Sequence, residues 1–267
     1  MKKLAFCFLI YDIINNEELW NIFFKNIDPD KYTIFIHYKW NKPLKYFDKY
    51  KLENCIETKY EDQTIPIAYN ILFKKAYENT DNYKFIILSG ACLPFKSFDF
   101  IYEKLIIDHY GYFNICPPEQ CFPNCNSLLS VIDKKFISKS HNWFILNRKL
   151  VENLCFDKDH VLNNYFNKVY APAEYFYYTY IKLLSLESEI KTTLNSANNA
   201  TTFTNWAGMD YKYVTYRSLK NYNSISEEEI DYLLKSPCLF GRKFTRDSIT
   251  SFINKTYLEN IASKSSI

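Results

Sequence analysis

Glycine is scarce in this sequence. Its 267 residues include only Gly90, Gly111, Gly208 and Gly241. A P-loop and the GxGxxG fingerprint both need several glycines within a few residues, and no two of these glycines are that close. The GxSxG elbow of serine hydrolases is missing as well. The sequence therefore provides no local support for P-loop phosphoryl transfer, hydride transfer on a dinucleotide fold, or serine hydrolysis.

Long apolar runs and a strong net charge are also missing. No segment approaches the roughly 18 consecutive apolar residues of a membrane-spanning helix. The stretch LAFCFLI, residues 4–10, follows two lysines, but it is short and lacks a small-residue cleavage site, so we interpret it as a buried strand rather than a signal peptide. The formal net charge of +3 does not predict a nucleic-acid partner. We therefore expect a soluble, unprocessed, cytoplasmic protein without a membrane span.

The composition hints at the source of the protein and not at its mechanism. Aromatic residues make up 19% of the chain, beside many Asn, Lys and Ile residues. This bias is typical of an AT-rich genome. A large DNA virus would fit, with the host-cell cytoplasm as the location, and a bacterial origin fits as well.

Recognisable metal-binding patterns are absent. The four histidines are scattered, and the eight cysteines are interpreted as reduced and mostly buried. Cys116, Cys121 and Cys125 are clustered, but their spacing is not that of a zinc site. The D-x-D triplets at 28–30 and 157–159 are interpreted as a turn and a loop, and neither follows a suitable strand. No metal site is predicted.

The chain does contain a regular alternation of strands and helices. Buried strands are predicted at 4–10, 32–37 and 84–89, with helices between and after them at about 17–26, 64–78 and 98–108. Asn16 is the predicted cap of the first helix. This order predicts an α/β fold whose central sheet is Rossmann-like, mainly parallel and flanked by helices. Ligands bind beyond the carboxyl ends of such strands, which here point to residues 37–39 and to Ser89 and Gly90.

Further elements are predicted in the second half. Residues 111–130 are interpreted as irregular, 141–154 as a strand turning into a helix capped by Asn147, and 175–188 as an aromatic-rich helix. Ser226 begins a capped helix, and PCLFGRKF, 237–244, is a short buried strand. We expect one domain over 1–254 and a polar, frayed tail over 255–267.

Glu174 is the most unusual acid in the sequence. It lies in KVYAPAEYFYYTYI, 168–181, after a proline and before an aromatic run. Burial would raise the pKa of such a carboxyl, and the amides of a helix start would favour its ionised form. This is the setting of a general base that takes a proton from a hydroxyl. The alternative is a solvated acid at a helix start.

Cations and aromatic rings complete the candidate site. Arg242 and Lys243 follow an apolar strand and Gly241, where they could bind phosphate, although solvated surface cations are the alternative. Trp206 and Tyr211 belong to a polar stretch, where their rings are candidates for stacking on a substrate. Trp143, within a predicted strand, is expected to be a core residue.

The chain resembles a known enzyme family. The pieces AFCFLIYD, IFIHYK, YKFIILSGACLPF, NWFILNRKLVENL, PAEYF, TNWAG and CLFGRKF occur in the order and at roughly the spacing of the core-2/I-branching β-1,6-N-acetylglucosaminyltransferases and xylosyltransferases, glycosyltransferase family 14. Together they span about residues 4–245. CLFGRKF and HNWFILNRKL are the strongest matches.

The resemblance implies a GT-A-type fold and transfer of a sugar from a UDP-sugar to a glycan acceptor, with inversion and without a divalent metal or other cofactor. GlcNAc is the expected sugar, and xylose, glucose and glucuronate are options. Glu174 falls at the position of the catalytic base, and Lys243 and Arg217 fall at the positions of the diphosphate-binding cations. Trp206 falls near the acceptor, and His37 and Tyr38 near the uridine.

The sequence departs from the family in three respects. Tyr69 replaces an acid near the base-binding site, and SHNWF replaces a smaller stretch, so the acceptor need not be a mucin glycan. The membrane anchor and stem of the Golgi enzymes are also not found. Two alternatives stay open: a carbohydrate- or nucleotide-sugar-binding module without catalysis, and a viral structural protein that reuses the fold. The sequence does not specify the oligomeric state.

Overall fold

Two β-sheets organise the molecule. The computed structural model describes residues 1–156, 160–196, 199–205, 219–246, 248 and 255–262. In chain order the strands are β1 (Lys3–Ile10), β2 (Tyr32–Tyr38), β3 (Asn82–Ser89), β4 (Leu93–Pro94), β5 (Gly111–Ile115), β6 (Ile145–Asn147), β7 (Ile190–Leu194), β8 (Thr202–Thr204) and β9 (Phe240–Arg242). The larger sheet has the order β2-β1-β3-β6-β5-β7, and the smaller has the order β4-β9-β8.

The larger sheet is mainly parallel. Strand β1 pairs in parallel with both β2 and β3, and β5 pairs in parallel with β7. Strand β6 runs against its neighbours β3 and β5. The carboxyl ends of the other strands therefore meet at one edge, together with the residues that lead into β6. The predicted strands at 4–10, 32–37 and 84–89 are confirmed as β1, β2 and β3.

Helices cover both faces of the larger sheet. One face carries α1 (Glu17–Phe24) and α3 (Phe98–Ile106), and the other carries α2 (Thr64–Tyr77), α4 (Arg148–Cys155), α5 (Val161–Tyr165) and α6 (Phe176–Leu183). Helices α7 (Glu227–Lys235) and α8 (Lys255–Ile261) pack against the smaller sheet instead. The predicted α/β fold with helices around a mainly parallel sheet is thus confirmed. Among the described helices, none is long and apolar enough to cross a membrane.

Alternation along β1 explains how both faces are buried. Leu4, Phe6 and Phe8 pack with the aromatic rings of α1 and α3, whereas Ala5 and Cys7 face the core formed with α2, α4 and α6. Successive strand residues point to opposite faces, so a strand covered on both sides must be apolar at nearly every position. This is why LAFCFLI has no polar residue.

Two predicted caps are confirmed and a third is wrong. The Asn147 side chain accepts a hydrogen bond from the Leu150 N–H at the start of α4, and Ser226 accepts one from Glu229 at the start of α7. Asn16 does not cap α1. Its side-chain amide donates instead to the Thr245 carbonyl, at 3.3 Å. The loop after β1 is therefore tied to the chain that follows β9.

Three segments differ from the sequence-based expectation. Residues 111–115, expected to be irregular, form β5, and the aromatic-rich helix ends at Leu183 and not near 188. The expected frayed tail begins with helix α8. Its Tyr257 is fully buried and donates a hydrogen bond from its hydroxyl to the Pro94 carbonyl, at 3.0 Å. The composition of this segment is polar as a whole, but helix α8 has one apolar face, and that face packs against β4.

The smaller sheet places the segment Arg242-Lys243 beside the carboxyl edge of the larger sheet. Strand β4 follows β3 closely and pairs with β9, which carries Arg242. At Gly241 a Cβ atom would collide with the Phe95 ring, so this close strand packing requires glycine. The short PCLFGRKF strand, confirmed as β9, thus brings two cations to the edge where ligands bind in α/β folds.

Candidate functional site

A cavity of about 510 Å³ opens at the carboxyl edge of the larger sheet. Leu9 of β1 and Ser89 of β3 line it, together with Tyr69 of α2, Trp143 just before β6, the segment 171–174, and the pair Arg242 and Lys243. Four residues selected from the sequence, Ser89, Glu174, Arg242 and Lys243, therefore share one cavity although they are far apart in the chain.

Glu174 is held by its backbone on one wall of the cavity. It ends a short 3₁₀ turn, Pro172–Glu174, which follows Ala171 in the left-handed region at φ 52°. The Glu174 carbonyl accepts a hydrogen bond from the Ser140 N–H at 2.8 Å, and the Ala171 N–H donates to the Glu61 carbonyl at 3.0 Å. The turn is fixed from both sides, so the carboxylate has a defined place.

A lysine that sequence reasoning missed lies beside this acid. Lys139 Nζ is 3.1 Å from Glu174 Oε2. Burial raises the pKa of Glu174, the Lys139 charge and hydrogen bond lower it, and the charge of Glu61 raises it; burial prevails, so the pKa lies above its ordinary value. A carboxylate with a raised pKa is a stronger base once ionised, which suits proton abstraction near neutral pH.

Two cations occupy the cavity with this acid. The Arg242 guanidinium lies over the Trp143 ring, 4.0 Å from its centroid, and its Nε atom is buried without a hydrogen-bond partner in the described structure. Lys243 is exposed beside it. Burial lowers the pKa of Arg242. Lys243 reaches solvent but is partly desolvated by the cavity, and this desolvation, followed by the Arg242 charge, lowers its pKa. An arginine and a lysine held side by side in a partly desolvated cavity are suited to bind an anion such as a phosphate.

Trp143 and Tyr69 form apolar surfaces of the cavity. Trp143, expected in the core, is only partly buried, and its ring lies under the Arg242 guanidinium just before β6. Tyr69 is buried, and its ring packs edge-on against Phe144 at 6.2 Å between centroids. The residue that departs from the family pattern is therefore part of the cavity floor.

Three predicted ligand contacts are not brought to the cavity. The His37 side chain is fully buried, and its Nε2 accepts a hydrogen bond from the Ile56 N–H at 3.0 Å. Burial lowers its pKa to about 4, so it is neutral and fixes the chain that follows β2. Tyr38 is partly buried under Lys51. Gly90 allows the backbone to pass close to the Ile13 carbonyl, which a Cβ atom would strike. None of these three residues is among those that line the cavity.

The remaining predicted site residues, Arg217, Trp206 and Tyr211, lie outside the described residues, as does the triplet at 157–159. Asp28 and Asp30 form a turn, in which the Asp28 carboxylate accepts the Asp30 N–H at 2.8 Å. Within the described ranges, no three His, Cys, Asp or Glu residues are grouped so that they could hold a metal ion.

Two of the carboxylates around the cavity already have partners. Asp62 accepts the Thr64 N–H at 2.9 Å at the start of α2. Glu174 pairs with Lys139. A divalent cation here would have to displace these contacts. Sequence reasoning had no signal for Glu61, Asp62 or Lys139, because only the folded chain brings their segments next to Glu174.

Part of the chain is similar to a known plant protein. Glycosyltransferase BC10 of Oryza sativa subsp. japonica is 19% identical over 164 residues, which are 59% of this chain and 41% of the rice protein. This match thus spans less than half the length of the relative.

Two solved structures of the galactosyltransferase LgtC are also similar. The complex with donor and acceptor sugar analogues has a TM-score of 0.49 at 9% identity, covering 99% of this chain and 97% of that one. An active-site mutant of LgtC has a TM-score of 0.46 at 9% identity, with 90% and 86% covered. The sequence model of the family described as "Core-2/I-Branching enzyme" matches residues 4–234, most of the chain. The chain therefore belongs to the Core-2/I-Branching enzyme family.

Proposed function

We propose that this protein is an inverting, metal-independent glycosyltransferase of GT-A type. It would move a sugar, with GlcNAc as the first candidate, from a UDP-sugar to a hydroxyl of a glycan acceptor. The observation that carries the proposal is the meeting of one partly buried carboxylate, Glu174, with two cations, Arg242 and Lys243, in one cavity. Family membership supports the class of reaction.

In this proposal Glu174 is the general base. Its carboxylate takes the proton of the acceptor hydroxyl while that oxygen attacks the anomeric carbon of the donor. The bond from the anomeric carbon to the diphosphate oxygen breaks, and its electron pair leaves with UDP. A single displacement of this kind inverts the anomeric centre. Burial, which raises the pKa of Glu174, makes the carboxylate a better proton acceptor.

The cations neutralise the leaving group. Negative charge grows on the diphosphate as the bond breaks, and fixed cations in a partly desolvated cavity stabilise it. Arg242 offers a planar pair of donors held by stacking on Trp143, and Lys243 offers a mobile ammonium. The family resemblance adds Arg217 as a third cation.

Two further observations support metal independence. The place after β3 where metal-dependent enzymes of this type carry a D-x-D motif is occupied by Ser89 and the residues after it, and the Ser89 hydroxyl contacts the Cys92 thiol at 3.3 Å. Two carboxylates that line the cavity, Asp62 and Glu174, are engaged by the Thr64 N–H and by Lys139. Fixed cations thus take the place of a metal in this proposal.

A panel of UDP-sugars tests the proposal. UDP-GlcNAc, UDP-xylose, UDP-glucose and UDP-glucuronate are each incubated with the protein and glycan acceptors, with and without EDTA, and UDP release and transfer products are measured. We expect turnover with one of these donors in both conditions. Absence of turnover with every donor, despite UDP binding by calorimetry, would favour the alternative of a binding module, which the tyrosine at position 69 in the cavity floor motivates.

A further inference from the structure

Lys139 forms an ion pair with the Glu174 carboxylate. Its Nζ lies 3.1 Å from Oε2, and the two side chains are only 22% and 26% exposed. Ion pairs on open surfaces contribute little because water and salt screen them. This pair is partly withdrawn from water, so the charge of Lys139 acts on Glu174 with less screening.

The position of Lys139 is set by its backbone. The Lys139 carbonyl accepts the Cys116 N–H at 2.8 Å, next to the carboxyl end of β5. On either side, the Ser138 N–H donates to the Thr179 hydroxyl of α6 at 3.0 Å, and the Ser140 N–H donates to the Glu174 carbonyl. The two partners are thus joined through their backbones as well as their side chains, and neither has to move to form the pair.

We propose that Lys139 is a positioning residue that holds the Glu174 carboxylate in place and in its ionised form for proton abstraction. Lys139 does not line the cavity, so it acts through Glu174 and does not touch the sugar. This inference rests on the proposed function. During transfer the proton of the acceptor hydroxyl passes to Glu174, the new oxygen–carbon bond forms and the diphosphate departs with its electron pair. Lys139 keeps its own protons throughout.

Within the described residues, the other charged side chains that line the cavity with Glu174 are Glu61, Asp62, Arg242 and Lys243, and they stay the same when Lys139 is replaced. Among the described residues, Glu61 is the second charged group that acts on its pKa, and it opposes Lys139. The groups that face Glu174 and could titrate have raised pKa values, with burial as the main cause, and so stay neutral: Tyr60, Tyr69, Cys116 and Tyr175. Lys139 keeps its charge, because its attraction to Glu174 raises its pKa although burial lowers it. A pH profile therefore reports on the Lys139–Glu174 pair.

Substitution of Lys139 by methionine tests the role kinetically. We expect kcat of Lys139→Met to fall about 10- to 100-fold, since a misplaced base can lose that much, while KM for the donor changes by less than about twofold. The acid limb of the pH–rate profile should move to higher pH, because a carboxylate without a neighbouring ammonium binds its proton more tightly. Lys139→Arg should restore most of kcat and the wild-type acid limb.

A matched control loses the same charge from the same segment. Lys135 is exposed and pairs with Asp133, away from the cavity, so Lys135→Met should leave both kcat and the pH profile unchanged. If Lys139→Met lowered kcat but kept the wild-type acid limb, Lys139 would be a merely structural residue and the inference would be overturned. Should the methionine variant fail to fold, Lys139→Gln removes the charge and keeps a hydrogen-bond donor.

A readout without turnover separates this inference from the proposed function. The protein is labelled with ¹³C at its glutamate carboxyls, and the Glu174 signal is assigned by its loss in Glu174→Gln. We expect that signal to titrate at higher pH in Lys139→Met than in wild type. Equal titration midpoints would overturn the inference. A wild-type protein that transfers no sugar would refute the proposed function, while this titration still decides whether Lys139 controls the ionisation of Glu174.

Discussion

The acid and the cations of the cavity are built in different ways. Glu174 has a partner of opposite charge at 3.1 Å, and its turn is held by backbone hydrogen bonds. Arg242 is held by an aromatic ring, and the Arg242 Nε atom has no hydrogen-bond partner within the described part of the chain.

This difference indicates that the acid is adjusted for proton transfer, whereas the cations are placed for binding a ligand. The carboxylate has its proton affinity adjusted by the protein itself, through burial and Lys139. The cations are placed but keep much of their capacity for binding, which a doubly charged diphosphate would use. In the proposed function the acid removes the proton of the acceptor hydroxyl, whereas the cations bind the nucleotide and stabilise the charge that grows on its diphosphate.

The largest expected effect comes from removing the acid. Glu174→Gln keeps the size of the side chain and removes the base, so kcat should fall by about 10²- to 10⁴-fold. UDP affinity, measured by calorimetry, should stay within about twofold of wild type. Glu152→Gln, on the exposed face of α4, is the matched control and should behave as wild type. Near-normal activity of Glu174→Gln would refute the role of the base.

Removing a cation should weaken the binding of UDP, which the loss of Glu174 should leave nearly unchanged. Arg242→Met is expected to weaken UDP binding about 10- to 100-fold, the typical range for a hydrogen bond to a charged group. Arg242→Lys should recover little, since an ammonium does not reproduce the stacked, planar fork. Lys243→Met should weaken binding less, because Lys243 is exposed. Lys235→Met, an exposed lysine at the end of α7, serves as the control. Unchanged UDP affinity in both cavity variants would contradict the diphosphate site.

The pH dependence distinguishes the two kinds of group. Glu174 accepts a proton only when it is ionised, and its pKa is raised, chiefly by burial. Activity should therefore fall as the pH drops through that raised pKa, by about tenfold per pH unit below it. Arg242→Met should show the same acid limb at lower overall activity. Steady-state rates between pH 4 and 9 provide the measurement, and a wild-type rate that is flat down to the ordinary pKa of glutamate would contradict the assignment.

A smaller effect is expected from the aromatic support of Arg242. Trp143→Leu removes the ring under the guanidinium but keeps the cation, so UDP affinity should fall by roughly 2- to 10-fold. Trp40→Leu removes an exposed tryptophan that packs on Tyr11, 4.4 Å between centroids, and should leave UDP affinity unchanged. Equal affinities of Trp143→Leu and wild type would show that the stack does not orient Arg242.

The smallest expected effect is that of a chelator. Because fixed cations carry the leaving-group charge in the proposed mechanism, EDTA should not lower the initial rate of transfer, and added Mn²⁺ or Mg²⁺ should not raise it. Loss of activity in EDTA that returns with a divalent cation would mean that the cations assist a metal and do not replace it.

Local sequence patterns predict those elements whose structure depends mainly on neighbouring residues, such as buried strands and helix caps. Unbroken apolar runs predicted β1 and β3, since a strand buried on both faces has no position for a polar residue. Asn147 and Ser226 were identified as caps because a cap depends only on the next few residues. Asn16 has the same chemistry and does not cap α1, because the chain after β9 supplies the Thr245 carbonyl for its amide.

The parts that escaped prediction depend on distant segments. His37 was selected from a strand end, but the chain around Ile56 folds over it and buries it. Lys139 has no local signature, and its role becomes visible only when the segment after β5 lies beside the turn at Glu174. Helix α8 was missed because its few apolar residues find a core only in the packing around β4 and Phe244. In each case tertiary contact decided what composition could not.

A crystal structure with a bound UDP-sugar, prepared in EDTA, tests the central claim most directly. We predict that the diphosphate lies within hydrogen-bonding distance of Arg242 and Lys243, with the anomeric carbon facing the Glu174 carboxylate across a space that fits an acceptor hydroxyl. A diphosphate bound away from both cations, or a sugar that turns its anomeric carbon away from Glu174, would contradict the account.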